Sequence, residues 1–205
     1  MLPNVDFVIC KATEGVDFVD AWCDRWVQTC ISQEVPWGFY HFAGNGNPIA
    51  EAEWFVDNAK NYFGHGIPVL DWEGDQSVSW VNDFVNRVYN LFGIWPWIYA
   101  NPWRFNQGGV EPNCGRWIAS YPDVLRPGLD YDPGEVPETD GLVCCWQYAS
   151  DGQVPGYGGN LDINHFFGDA ASWAAYAGVA QSPPEQTPSV SVLDNDEYRV
   201  TVERK

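Results

Sequence analysis

Positive charge is scarce in this sequence. Ten Lys and Arg stand against 28 Asp and Glu, a formal net charge of −18 over 205 residues. So acidic a chain does not attract nucleic-acid phosphates or anionic lipid, which excludes both as electrostatic partners. It also works against tight electrostatic capture of an acidic polymer. Long apolar runs are missing, and no stretch is long enough to span a bilayer as a helix, so no membrane insertion is expected. The start, Met1-Leu2-Pro3-Asn4, shows neither the basic region nor the apolar core of a signal peptide. Cysteine is sparse: six thiols are too few for a disulfide framework in a domain this long. No CxxC pair occurs, so neither a metal nor a cofactor is expected. Cys10 and Cys144-Cys145 fall in strand-like runs, and Cys23 and Cys30 in one helical segment. Reduced, buried thiols are the expectation, with a Cys114 bridge to Cys144 or Cys145 as the lesser alternative.

What is abundant is aromatic: 12 Trp, 10 Tyr and 11 Phe. Most must fill the core, but flat faces with polar edges also suit pyranose rings. The length fits one domain with a real core. Strand-like runs lie at 5–10, 37–42, 67–73, 95–101, 116–121, 142–148 and 161–164, seven in all. Helical spacing appears at 21–33, 49–63 and from Ser77 or Ser79 to 92, with a short turn near 102–105 and a last helix at 170–177. Asn47 or Pro48 suits the start of the second helix, and Asp169 that of the last. Alternating strands and helices in the first half predict an α/β fold with parallel strands. Residues 122–141 are a Pro/Gly/Asp-rich connection, and helices thin out in the second half. Lys11, His41, Glu73, Asn101, Tyr121, Tyr148 and Asn164 sit at strand carboxy-terminal ends, the functional rim of an α/β barrel. The barrel domain is placed at 1–180, a Pro-rich linker at 181–189, and a short β-like tail or the start of a further module at 190–205.

The most informative stretch is Ile67-Pro68-Val69-Leu70-Asp71-Trp72-Glu73-Gly74. An apolar strand ends in two carboxyls that share a face, since side chains alternate. Buried acids are costly. A sugar hydrolase, however, needs one carboxyl that holds a proton and another that stays ionised.

Taken in order, several segments resemble glycoside hydrolase family 25, the muramidases typified by many phage endolysins. They are Phe7-Val8-Ile9-Cys10-Lys11-Ala12-Thr13-Glu14-Gly15, Gly38-Phe39-Tyr40-His41-Phe42, Val69-Leu70-Asp71-Trp72-Glu73, Trp97-Ile98-Tyr99-Ala100-Asn101, Trp117-Ile118-Ala119-Ser120-Tyr121, Trp146-Gln147-Tyr148 and Leu161-Asp162-Ile163-Asn164-His165-Phe166. The resemblance spans residues 5–177. It implies an irregular, TIM-like (β/α) barrel with few helices in its second half. It also implies hydrolysis of the β-1,4 bond from N-acetylmuramic acid to N-acetylglucosamine in peptidoglycan, as in cell-wall lysis by a lysozyme.

Carried over by motif, Glu73 is the expected general acid, Asp71 its partner toward the 2-acetamido group, and Asp162 the third acid. Tyr40, Tyr99, Tyr121 and Gln147 are expected substrate-binding residues, and Lys11 a contact for the muramyl lactate or peptide. Crowded carboxylates raise one another's pKa, which is how one of them stays protonated. Separations of about 5–5.5 Å favour retention and about 6.5–9.5 Å inversion. Strand neighbours two apart, with Cα atoms roughly 6.5–7 Å from each other, do not separate the two. Substrate-assisted attack by the acetamido oxygen is the preferred route. The family opens with a further strand bearing Asp-x-Ser and a nearby Trp-Gln, and the resemblance here begins at the second strand. Two sheet edges, at 5–10 and 161–164, are therefore expected to be open. The partner implied is peptidoglycan, reached by a lysin made in the cytoplasm, with a wall-binding module beyond residue 181. The alternatives are a non-catalytic glycan-binding or virion protein, and a glycosidase of another N-acetylated polymer.

Overall fold

Side-chain parity along the strands organises this molecule. The computed structural model describes residues 5–179; the linker and tail expected at 181–205 lie outside them. Strand β1 (Val8–Glu14) leads through the two-residue β2 (Phe18–Val19) to α1 (Cys23–Ser32). Then follow β3 (Trp37–Phe42), α2 (Pro48–Ala59), β4 (Ile67–Asp71), α3 (Val78–Phe92), β5 (Trp97–Ala100) and the single turn α4 (Pro102–Phe105). Strands β6 (Arg116–Ala119), β7 (Val143–Gly152) and β8 (Leu161–Phe166) precede α5 (Ala170–Tyr176).

The helix starts obey local chemistry. Asn47 accepts from the Ile49 and Ala50 amides, with Pro48 at the first helical position. Ser77 accepts from the Trp80 amide and Asp169 from that of Ser172. Gly93 ends α3 at φ 71°, a left-handed conformation that glycine adopts without penalty.

All eight strands form one sheet in the order β2-β1-β3-β4-β5-β6-β7-β8. From β1 to β7 neighbours are parallel, apart from the antiparallel flap β2, which covers only Thr13 and Glu14 of β1. Strand β8 returns antiparallel to β7. The sequence reading missed β2, whose two residues show no period, and the reversal of β8, since strand direction leaves no trace in composition. The sheet curls until Phe7, just before β1, and Phe166 of β8 have ring centroids 6.4 Å apart. The two strands do not pair, so the result is a half-barrel with a seam.

Parity then sorts the core into two layers. Outward residues Phe39, Leu70, Trp72 and Ile98 pack beneath α1, α2 and α3. Inward residues Ile67, Val69, Trp97, Tyr99, Trp117 and Cys145 fill the barrel, and Trp173 and Ala177 pack among them at the end of the chain's described part. Trp173 lies 4.9 Å from the Phe7 ring and 5.1 Å from that of Phe166. Gly38 faces this interior; a Cβ there would stand 2.9 Å from the Ile67 carbonyl oxygen. All six cysteines are buried and unpaired, so the bridge from Cys114 does not form. The Cys144 thiol instead donates to the Arg116 carbonyl at 3.3 Å.

Candidate active site

The carboxy-terminal ends of the parallel strands converge on one mouth, above an aromatic floor where Trp97 stacks on Phe166 at 5.7 Å. Asp71 is the last residue of β4, in register with Phe42 of β3 and Tyr99 of β5. Its backbone is tied on both sides: the Ala43 amide donates to the Asp71 carbonyl, and the Trp72 amide to that of Tyr99, each at 2.9 Å. The Asp71 carboxyl is only 8% exposed, and its Oδ1 has no hydrogen-bond partner. Burial pushes it up to about 8, and the Glu73 charge and a side-chain hydrogen bond to Glu73 push the same way, against Lys11. The carboxyl that keeps a proton at neutral pH is therefore the inner one, while Glu73 is exposed at the lip.

Asp162 stands across the seam on β8, exposed, its pKa raised by burial of its carboxyl and by Glu73. Tyr40 is half-buried among these acids: burial, then Asp71, Asp162, Asp20 and Glu73, hold its phenol proton on. Asp20, just after β2, was not among the sequence candidates; it follows no strand motif and reaches this field only because β2 folds back on β1. Lys11 points inward as well. Its ammonium is 2.6 Å from Glu14 and lies about 5 Å from the Phe18 and Phe42 rings.

Gln147 is 4% exposed. Its Oε1 accepts from the Tyr99 hydroxyl at 2.7 Å and the Tyr121 hydroxyl at 2.5 Å. With both lone pairs engaged, the amide is locked. Asn164 accepts from the Trp117 indole at 2.9 Å. The Glu73 carbonyl accepts from Arg104 Nη2 at 2.7 Å, another contact without a strand-end signal.

Thus Lys11, Tyr40, Asp71, Glu73, Tyr99, Tyr121, Gln147 and Asp162 gather at one mouth. Three other strand-end residues do not join them. His41 is fully buried in the outer layer, its ring 5.0 Å from that of Phe84. Tyr148 points outward too, packed near Tyr131 and Trp146. Each neighbours an inward residue, Tyr40 or Gln147, and parity forbids both from facing in. Asn101 caps α4 instead, accepting from the Arg104 amide at 3.1 Å.

Acids and aromatics at the carboxy-terminal mouth of a curled parallel sheet define a carbohydrate-cleaving α/β enzyme. The chain belongs to glycosyl hydrolases family 25, whose profile matches residues 3–157; it is a glycoside hydrolase. Among characterised relatives, the N,O-diacetylmuramidase of Chalaropsis sp is 28% identical over 181 residues, covering 76% of this chain and 84% of that protein. The solved muramidase of Acremonium alcalophilum superposes with a TM-score of 0.65 at 28% identity, over 84% of this chain and 87% of that one. The bacterial lysozyme of Streptomyces coelicolor gives 0.68 at 26%, over 85% and 87%.

Proposed function

We propose that this chain hydrolyses peptidoglycan at the β-1,4 bond between N-acetylmuramic acid and N-acetylglucosamine. The observation that carries the reading is the Asp71–Glu73 pair: a buried carboxyl with a partnerless oxygen and a raised pKa, beside a second carboxyl exposed at the lip. A glycosidic oxygen leaves as a poor alkoxide unless it is protonated. Glu73 is the member of the pair that reaches solvent, so it delivers the proton, and Asp71 is the store behind it. In the same reading Asp71 turns its charge toward the substrate acetamido group once the proton has gone. That group's oxygen then attacks the anomeric carbon, and a water opens the resulting ring. Asp162 and the ionised members of the cluster face the positive charge that develops on the sugar. Gln147 offers its NH2 to the substrate, held by Tyr99 and Tyr121, and Tyr40 and Lys11 complete the wall of the cleft.

The names of the similar proteins, muramidase and lysozyme, support the choice of polymer. A phage or bacterial lysin acting at the cell wall fits that chemistry. The test is reducing-end analysis on purified peptidoglycan for the chain and for Glu73→Gln. We expect new muramic-acid reducing ends from the unsubstituted chain and a loss of about 100-fold or more in the variant. Undiminished cleavage would remove Glu73 as the acid. Glycan binding without cleavage by the unsubstituted chain would favour a binding protein in its place.

A further inference from the structure

Arg104 stands on α4, and its guanidinium is fixed beside the backbone of Glu73. Nη2 donates at 2.7 Å to the Glu73 carbonyl oxygen, and the group lies over the Trp72 ring, 4.9 Å from its centroid. The carbonyl and the ring together hold the group in place. What is missing is an acid. The chain carries a net charge of −18. Nevertheless, the ion pairs among the described residues are Lys11–Glu14, His41–Glu51 and Arg87–Glu53, and none involves Arg104. Its remaining donors meet no side-chain or backbone acceptor among the described residues. Lys11, the other cation near the cluster, is already held by Glu14 and two aromatic rings. The next residue to Arg104, Trp103, is 68% exposed, more than any other aromatic side chain among the described residues. An arginine oriented by a carbonyl and an aromatic face keeps its planar fork free for a carboxylate, and an exposed indole offers a face to a sugar ring.

We propose that Arg104 and Trp103 form a subsite for the carboxylate-bearing arm of a muramyl residue, and that this subsite distinguishes muramyl glycans from uncharged N-acetylglucosamine polymers. The proposal rests on the muramidase reading and deepens it. Arg104 binds the carboxylate, and Trp103 covers the adjacent pyranose or the alkyl part of the arm. Arg104 takes no part in the proton transfer; it sets which glycan is held.

Binding is measured by titration calorimetry in the Glu73→Gln background, so that no ligand is cut, with and without Arg104→Gln. Three ligands of equal length are compared: an N-acetylglucosamine tetramer, a peptide-free tetrasaccharide with free lactyl carboxylates, and the same glycan bearing its peptides. We expect Arg104→Gln to weaken binding of the carboxylate-bearing glycans about tenfold, with the tetramer within about twofold. Arg104→Lys, which keeps charge and loses the fork, should fall between. A loss confined to the peptide-bearing glycan assigns the contact to the peptide carboxylates. A loss confined to the peptide-free glycan assigns it to the free lactyl carboxylate, which is an amide once the peptide is attached. A loss on both assigns it to whichever carboxylate ends the arm. An equal loss on all three ligands would show that Arg104 acts only by holding the Glu73 backbone, and would overturn the subsite. So would no loss at all, or no binding of the carboxylate-bearing glycans to the chain that retains Arg104. The muramidase reading fails separately, through absence of peptidoglycan cleavage by the unsubstituted chain.

Discussion

Two buried carboxyls flank the β3–β4 region of this sheet, and they have opposite characters. Glu51, on α2, is 1% exposed and Asp71 is 8% exposed, so burial alone would penalise both charges. Glu51 nevertheless has its pKa lowered. The amides of Gly44 and Gly46 donate to it at 2.7 and 2.8 Å, and His41 faces it at 3.2 Å. Burial still works against that charge, and the His41 and amide hydrogen bonds outweigh it. The two glycines matter here, because a Cβ on either would stand within 3 Å of the Glu51 carboxylate. Asp71 has no such donors: burial first and its acidic neighbour next push its pKa up, and one of its oxygens has no partner. The lesson is that donors, more than depth, set the charge of a buried acid. One carboxylate ties the β3–α2 loop to the sheet; the other is kept uncomfortable, which is the condition for chemistry.

Asp71→Asn tests the contrast most severely. We expect activity to fall by about 100-fold or more, while stability rises on the order of 1–3 kcal/mol at pH 8 and above. The sign follows from the raised pKa. Between the unfolded value, about 3.9, and about 8, the folded chain holds a proton that the unfolded chain has released. Stability therefore declines as pH rises through that window, and the amide removes the decline. Thermal melts from pH 4 to 9 would show it, and an unchanged pH slope would contradict the assignment.

Glu51→Gln should do the reverse: activity per folded molecule changes little, and stability drops by about 2–4 kcal/mol, read from the urea midpoint. Here the lowered folded pKa means that the contribution is present above the unfolded value and lost as pH falls through the folded one. His41, whose pKa burial also lowers, adds to the loss on acidification below about pH 6.5. The variant should accordingly show a shallower acid limb than the parent.

The smallest effect belongs to the rim. Tyr121→Phe removes one of the two donors that lock Gln147. KM for peptidoglycan should rise about threefold with kcat nearly unchanged. A large fall in kcat would instead place the Tyr121 hydroxyl in the proton path.

Much of this was legible from residues alone. Alternation along 67–73 already put Asp71 and Glu73 on one face, and Leu70 and Trp72 are indeed in the outer layer. The caps Asn47, Ser77 and Asp169 were readable because capping is a matter of three or four neighbouring residues. His41 shows where the reading fails. A polar residue at a strand end reads as a rim group, yet its hydroxyl partner, Thr13, at 2.8 Å, and its carboxylate partner, Glu51, come from elsewhere in the chain. Arg104 carries no local signal for a similar reason: its partners, Trp72 and Glu73, are some thirty residues away.

The sequence by itself determined the seven longer strands, the inward face along 67–73 and the starts of the capped helices, since each of these depends on local period and local hydrogen bonding. Tertiary structure alone decided which inward acid is pushed to hold its proton, which backbone carbonyl and ring anchor Arg104, and that β8 returns antiparallel. Those properties are sums over neighbours that only folding brings together, and a carboxyl's charge is set by the donors around it, not by its own place in the chain.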